Sequence, residues 1–257
     1  MASLSELFLD YLTSMPRTLA GKPFVYEDDG DLTLHFNFSA TQSRMSKSEP
    51  DKLLLGYTRT MMGFLLFHPN PAHIGMIGLG GGSLAKYCLR HVPAAHFTAV
   101  DINPHVIALR DTFAIPADSP NFKVICADGA DYVRDRSERV DALLVDGFDR
   151  DGLPGQLSTA EFYNDCRNKL KNDGVMAVNL LCSDTKLARY TERIRDSFDD
   201  QVVIVDGDEP GNMIAFAYKG NNFPPLPATL RQRTRDLRAK KSVAMRLTAQ
   251  KIIQQLK

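Results

Sequence analysis

A cluster of glycines and two strand-end carboxylates carry the first chemistry this chain could do. Gly78, Gly80, Gly81 and Gly82 fall within MIGLGGGSLAKY, between an apolar run and a helical run that begins at Ser83. Glycines at such a place let the chain turn sharply and let a ligand approach the backbone closely. The first N–H groups of the following helix then face that ligand. Asp101 closes the next apolar run, 23 residues after Gly78, where a carboxylate can accept both hydroxyls of a ribose. Asp128, in ADGADY, closes the third run, where a carboxylate can accept an adenine amino group. Alone, Asp101 reads more simply as an acid at a helix N-terminus before Pro104, and Asp128 also reads as a helix cap. Together they form an array along the carboxyl ends of adjacent strands, the edge where open α/β sheets bind ligands.

The elements that must position this array are visible as period changes. From residue 73 short apolar runs alternate with helical stretches: HIGMIG, HFTAVD, FKVICAD, DALLVDG, VMAVNLL, VVIVD and MIAFAY, with helices predicted at SLAKYCLRHV, PHVIALRDTF, TAEFYNDCRNKL and TKLARYTERIRDSF. That alternation predicts an α/β domain with a mostly parallel sheet covered on both faces. The last two runs are joined only by DGDEPGN, too short for a parallel crossover, so they form an antiparallel hairpin. Upstream, residues 3–15 have the spacing of a short amphipathic helix, FVYEDDGDLTLHFNF predicts a β-hairpin turning at Gly30, and residues 51–67 predict a helix ending before Pro69. Downstream, NNFPPLPATL reads as a proline-rich linker and the rest as one basic helix whose apolar positions, from Leu230 to Leu256, make an irregular stripe, docked on the body or on a second subunit. The resulting division is 1–70 for the lead-in segment, 71–220 for the sheet domain and 221–257 for linker and tail. No internal repeat is visible.

Composition narrows the function classes. The 257 residues are 44% apolar and 24% charged, ordinary for a globular protein. No run of about 18 apolar residues exists to span a membrane, and the N-terminus lacks the basic region of a signal peptide. Net charge is zero, yet nine Lys/Arg and one acid, Asp236, lie from Arg231 onward, against 22 bases and 30 acids before it. An acidic body favours a cationic substrate over nucleic acid. The four cysteines are scattered and the histidines show no metalloprotease spacing, so neither a disulfide nor a metal is expected; Cys88, Cys126 and Cys166, in apolar stretches, read as buried thiols. Without G-K-[ST] there is no phosphate-cradling P-loop. A dinucleotide-binding domain is the main rival, since GLGGGS nearly fits G-x-G-x-x-G/A. The hairpin at the end and the roughly one hundred residues between the third strand and the tail argue against it.

The order Gln42, GLGGGS, VDIN, ADGADY, VDGFD and EFY resembles the spermidine synthase (polyamine aminopropyltransferase) family over roughly residues 22–220. The resemblance implies a methyltransferase-like Rossmann sheet of seven strands behind a small β-rich piece, with decarboxylated S-adenosylmethionine as co-substrate and an amine receiving its aminopropyl group. It implies cofactor-binding roles for Gln42, Gly78, Gly80, Gly82, Asp101, Ile102, Asp128 and Gly129. Asp146, at the end of the fourth strand, becomes the catalytic group that orients the amine and takes its proton. Asp149 and Tyr57 become substrate-binding residues, although a core position on the amphipathic 51–67 helix is the simpler reading of Tyr57, while Phe162 and Tyr163 match an aromatic pair more simply read as packing. It implies further a small amine partner, no metal, no nucleic acid, no membrane, a homodimer and a cytoplasmic location. Two departures stand out. The family's G-G-G-D-G motif has Gly81 in place of its Asp, and its Tyr-x-Glu-Met-x-x-His stretch reads YTRTMMGF here. They leave room for intact S-adenosylmethionine and methyl transfer, for a different amine, or for a non-catalytic member.

Overall fold

Apolar strand runs separated by helical periods have few ways to bury their faces, and the chain adopts the one expected. The computed structural model describes residues 22–36, 41–149, 152–241 and 243–256; the helix predicted at 3–15 lies outside them. Strands β4 (His73–Ile77), β5 (His96–Asp101), β6 (Phe122–Cys126), β7 (Val140–Val145), β8 (Leu170–Leu181), β9 (Val202–Asp206) and β10 (Asn212–Lys219) form one sheet in the order β6-β5-β4-β7-β8-β10-β9. The first five in that row are parallel; β10 runs antiparallel to both β8 and β9. Strand order reverses between β4 and β7, the switch point at which such sheets open a crevice. Every residue of β7 is buried, as a central parallel strand requires.

The hairpin ahead of the sheet forms as predicted, β1 (Phe24–Asp28) against β2 (Asp31–His35). Its two turn residues, Asp29 and Gly30, both have positive φ, the twist a two-residue hairpin turn needs. A third strand that the sequence does not announce, β3 (Ser43–Ser46), adds to β2. Its residues are mostly polar; only Ser43 and Met45 turn inward.

Residues 51–67 do not form one helix. They break into α1 (Gly56–Met61) and α2 (Phe64–Phe67), parted at Gly63. A Cβ on Gly63 would come within 2.7 Å of the Phe216 ring and of Thr248. The segment is wedged between sheet and tail, with residues 60–67 all buried. Helix α3 (Ser83–His91) follows β4 as expected, but only Pro104–Ile107 (α4) of PHVIALRDTF is helical. Gly129–Arg134 (α5), unpredicted, starts on the Asp128 cap. Helices α6 (Ala160–Lys169) and α7 (Leu187–Ser197) match their predictions to within two residues at either end. Cys126 is a correction: it is exposed, because β6 is the sheet's edge strand, whereas Cys88 and Cys166 are buried.

The basic tail also departs from the single predicted helix. It forms α8 (Pro227–Lys241) and α9 (Arg246–Gln255). Two registers explain the irregular apolar stripe: Leu230 and Leu237, seven apart, face the body from α8, and Met245, Ala249 and Ile252 do so around α9. Arg233 donates to the carbonyl oxygens of Leu66 and Phe67 at the end of α2 (2.7 and 3.0 Å), and Lys241 to Pro69 O (2.6 Å). The tail is therefore docked on its own body. No helix among the described residues is long and apolar enough to cross a membrane.

Candidate active site

Backbone contacts at the sheet's switch point fix the site before any side chain is considered. Gly78 has φ +88°, and a Cβ there would lie 2.2 Å from the carbonyl oxygen of Asp146. Glycine alone lets the tips of β4 and β7 close on each other, an approach sealed by Asp146 N to Ile77 O (2.9 Å), while Gly78 N to Val100 O (2.8 Å) ties the turn to β5. Gly129, after β6, leaves room for the Ile77 side chain, which a Cβ would meet at 2.4 Å.

Over these tips lies a cavity of about 960 Å³. It brings together all but one of the residues expected to bind ligand or react: Gln42, Tyr57, Gly78, Gly80, Asp101, Ile102, Asp128, Gly129, Asp146 and Asp149. Gly82 is the exception. It is buried behind the turn with φ +67°, and a Cβ would strike Ile115 at 2.5 Å, so it shapes the start of α3 instead of the cavity wall. Phe162 and Tyr163 are buried, edge to face at 5.4 Å, and do not reach the cavity; packing is their role.

Asp101 sits at the tip of β5 with both oxygens engaged. Leu79 N donates to Oδ2 (2.8 Å) and Asn103 N to Oδ1 (2.8 Å). Burial raises its pKa, against the pull of those backbone donors. Its carboxylate thus ties the glycine turn to β5 while facing the cavity. The neighbouring Ile102 is 60% exposed, an apolar surface at the same lip. Asp128 accepts from Ala130 N (2.7 Å) as the cap of α5 and lines the cavity as well.

Asp146 stands at the middle of the row. Tyr57 Oη donates to its Oδ2 (3.1 Å), and Asn179 Nδ2 donates to its Oδ1 (2.9 Å). Asn212 Nδ2 in turn donates to Asn179 Oδ1 (2.9 Å). This chain crosses α1, β7, β8 and β10, and each link fixes the next. Burial raises the pKa of Asp146, while the bonds from Asn179 and Tyr57 oppose the shift. Burial, and then the Asp146 charge beside it, push the Tyr57 phenol well above its ordinary value. Tyr57 therefore keeps its proton at neutral pH and acts as a donor. The sequence pointed more to packing for Tyr57 and gave nothing for the two asparagines. A lone Asn inside VMAVNLL was the available signal.

Five carboxylates line the cavity, Asp101, Asp128, Asp146, Asp149 and Glu209, and among the described residues no Lys, Arg or His does. Strand order spreads them out. Asp101 and Asp128 lie on the β5–β6 side, Asp146 at the centre, and Glu209, in the β9–β10 loop, on the far side. Such a cavity attracts cations and repels anions.

A sequence model of the spermine/spermidine synthase domain matches residues 54–207. The chain belongs to this family. It is 38% identical over 199 residues to a polyamine aminopropyltransferase of Neisseria meningitidis serogroup A, covering 77% of this chain and 76% of that one. To a polyamine aminopropyltransferase of Chromobacterium violaceum it is 37% identical over 214 residues, 83% and 82% of the two chains. A spermidine synthase solved with the transition state analogue AdoDATO shares its fold at a TM-score of 0.69 and 20% identity, over 90% of this chain and 85% of that one. Human methyltransferase-like protein 13, solved with SAH, does so at 0.63 and 23%, over 71% and 92%. Within the spermine/spermidine synthase family frame, Gly81 gains a physical explanation. A Cβ there would lie 2.6 Å from Ser43 Oγ and 2.8 Å from the Phe113 ring, so β3 and Phe113 close the space a side chain would need.

Proposed function

We propose that the chain transfers an aminopropyl group from decarboxylated S-adenosylmethionine to a small amine. What supports the reading most is the cavity's charge: five carboxylates, no basic side chain among the described lining residues, and one half-buried carboxylate, Asp146, at the centre of the row. Both reactants are cations, and such a site suits them. The nucleoside lies over Gly78 and Gly80, with its ribose on Asp101, its adenine between Ile102 and Asp128, and Gln42 at the entrance. The sulfonium then stands near Asp146, and the amine enters from the side of Tyr57, Asp149 and Glu209.

The step is a displacement at the carbon next to sulfur. The amine nitrogen forms a bond to that carbon, the carbon–sulfur bond breaks, and sulfur keeps the electron pair as the neutral thioether of methylthioadenosine. The amine's proton must leave, because a protonated amine has no lone pair to attack with. Asp146, raised in pKa by burial and held by two donors, receives it.

Decarboxylated S-adenosylmethionine lacks the carboxylate that a wall of acids would repel. Calorimetric titration is expected to show it binding at least about tenfold more tightly than the intact form. Equal affinity, or a preference for the intact form, counts against aminopropyl transfer and for methyl transfer.

Tyr57→Phe tests the role of Asp146 through pH. The lost donor had stabilised the charged carboxylate, so the pKa of Asp146 rises further. Activity requires the ionised form, and the acid limb of the kcat/KM profile is therefore expected to move to higher pH. A limb left where the unaltered protein has it rules out Asp146 as the titrating base.

A further inference from the structure

The match to the family ends at residue 207, and everything after α8 begins lies beyond it. Yet the last helix reaches the site. Lys251, on α9, donates to Asp206 O (3.0 Å), Gly207 O (2.8 Å) and Asp208 Oδ1 (3.0 Å). All three acceptors belong to the end of β9 and the loop that follows it, and that loop supplies Glu209, Pro210, Gly211 and Asn212 to the cavity wall. Asp208 also pairs with Arg59 Nε through Oδ2 (3.5 Å). Arg59 Nη2 donates to Glu209 Oε1 (3.0 Å), and Arg59 Nη1 to the carbonyl oxygens of Leu53 and Leu54 (3.0 and 2.8 Å). Arg59 is two residues from Tyr57, which touches Asp146.

We propose that Lys251 is a positioning residue for the amine end of the cavity: α9 clamps the β9–β10 loop and so sets where the Glu209 carboxylate meets the cationic acceptor. The inference rests on the aminopropyl-transfer reading for the identity of the ligand, but the clamp itself is a matter of geometry. A loop closed on itself only by Gly207 N to Asn212 O (2.8 Å) and tied to β8 by Cys182 N to Gly211 O (2.9 Å) has few bonds of its own to hold a charged tip in place. Lys251 supplies three, from an ammonium that has three protons to give. The basic tail thereby acquires a role that its charge alone did not suggest: one lysine reads the acceptor subsite from outside, while Arg233 and Lys241 hold α8 to the body.

Lys251→Met keeps the apolar stem and removes the ammonium. In the full chain, acceptor KM is expected to rise severalfold with kcat at saturating amine little changed, the pattern of lost positioning on the binding side. Methylthioadenosine affinity should stay as in the unaltered protein, because Asp101 and Asp128 lie on the other side of the sheet. Amide hydrogen exchange at 207–212 should accelerate, and Lys251→Arg should restore both KM and exchange. If Lys251→Met leaves acceptor KM and loop exchange unchanged, the clamp is wrong. The exchange measurement needs no turnover, so it decides the clamp even if the unaltered protein transfers no aminopropyl group, an outcome that would sink the functional reading alone. Should Lys251→Met fail to fold, Asp208→Asn removes the charge that Lys251 and Arg59 share and is expected to give a smaller rise in acceptor KM with faster exchange in the same segment; no change in either overturns the clamp.

Discussion

Asp146→Asn is expected to lower turnover by about 10²–10⁴-fold, the usual worth of a positioned acid–base group, while methylthioadenosine affinity stays within about twofold. The substitution is nearly isosteric. The new amide oxygen can keep the bond from Asn179, and the new NH2 can face the Tyr57 oxygen, which as a phenol accepts as readily as it donates. The chain from Tyr57 to Asn212 thus survives, along with the close contact between Gly78 and the Asp146 backbone. What disappears is the ability to take a proton and to hold a cation. A mutant with unaltered kcat would remove Asp146 from the chemistry. A mutant that loses nucleoside affinity in equal measure would make it a binding residue.

Asp101→Ala is expected to do the opposite. Two backbone donors, Leu79 N and Asn103 N, lose their acceptor, and the ribose hydroxyls lose theirs. Charge-assisted bonds of this kind are worth about 1.5–3 kcal/mol each, so methylthioadenosine affinity should fall about 10- to 100-fold. At saturating co-substrate, kcat should recover much of its unaltered value, because the groups around Asp146 are untouched. Calorimetry on the two variants side by side separates the roles: one loses rate, the other affinity. If Asp101→Ala binds methylthioadenosine normally, the nucleoside does not sit over the glycine turn.

The half of the cavity proposed to take the nucleoside was legible in the sequence because it is local. Gly78, Asp101 and Asp128 each lie at the end of an apolar run, and the strand–helix period places those ends in a row. The half proposed to take the amine was not, because it is assembled by non-local pairing. Asn179 reaches Asn212 only through the antiparallel register of β8 and β10, and Glu209 is held at the cavity by a bond from Arg59, 150 residues earlier. Tyr57 looked like one more apolar position on an amphipathic helix; nothing in its neighbours showed that α1 is two short turns wedged over the sheet. Gly82 was read by its place in the motif, and the motif could not show that its missing side chain makes room for Ile115 and not for a ligand. The tail misled for a similar reason: one irregular stripe is the projection of two regular ones, on helices with separate axes. β3 had no apolar alternation to announce it, since its pairing with β2 is a matter of backbone bonds.

The most direct measurement is product analysis with the full chain, decarboxylated S-adenosylmethionine and a panel of small primary amines, followed by mass spectrometry. The prediction is release of methylthioadenosine in equal amount to an amine that has gained one aminopropyl group, with both products lost in Asp146→Asn. Methylation of an acceptor with intact S-adenosylmethionine, or no methylthioadenosine with any amine, would contradict it.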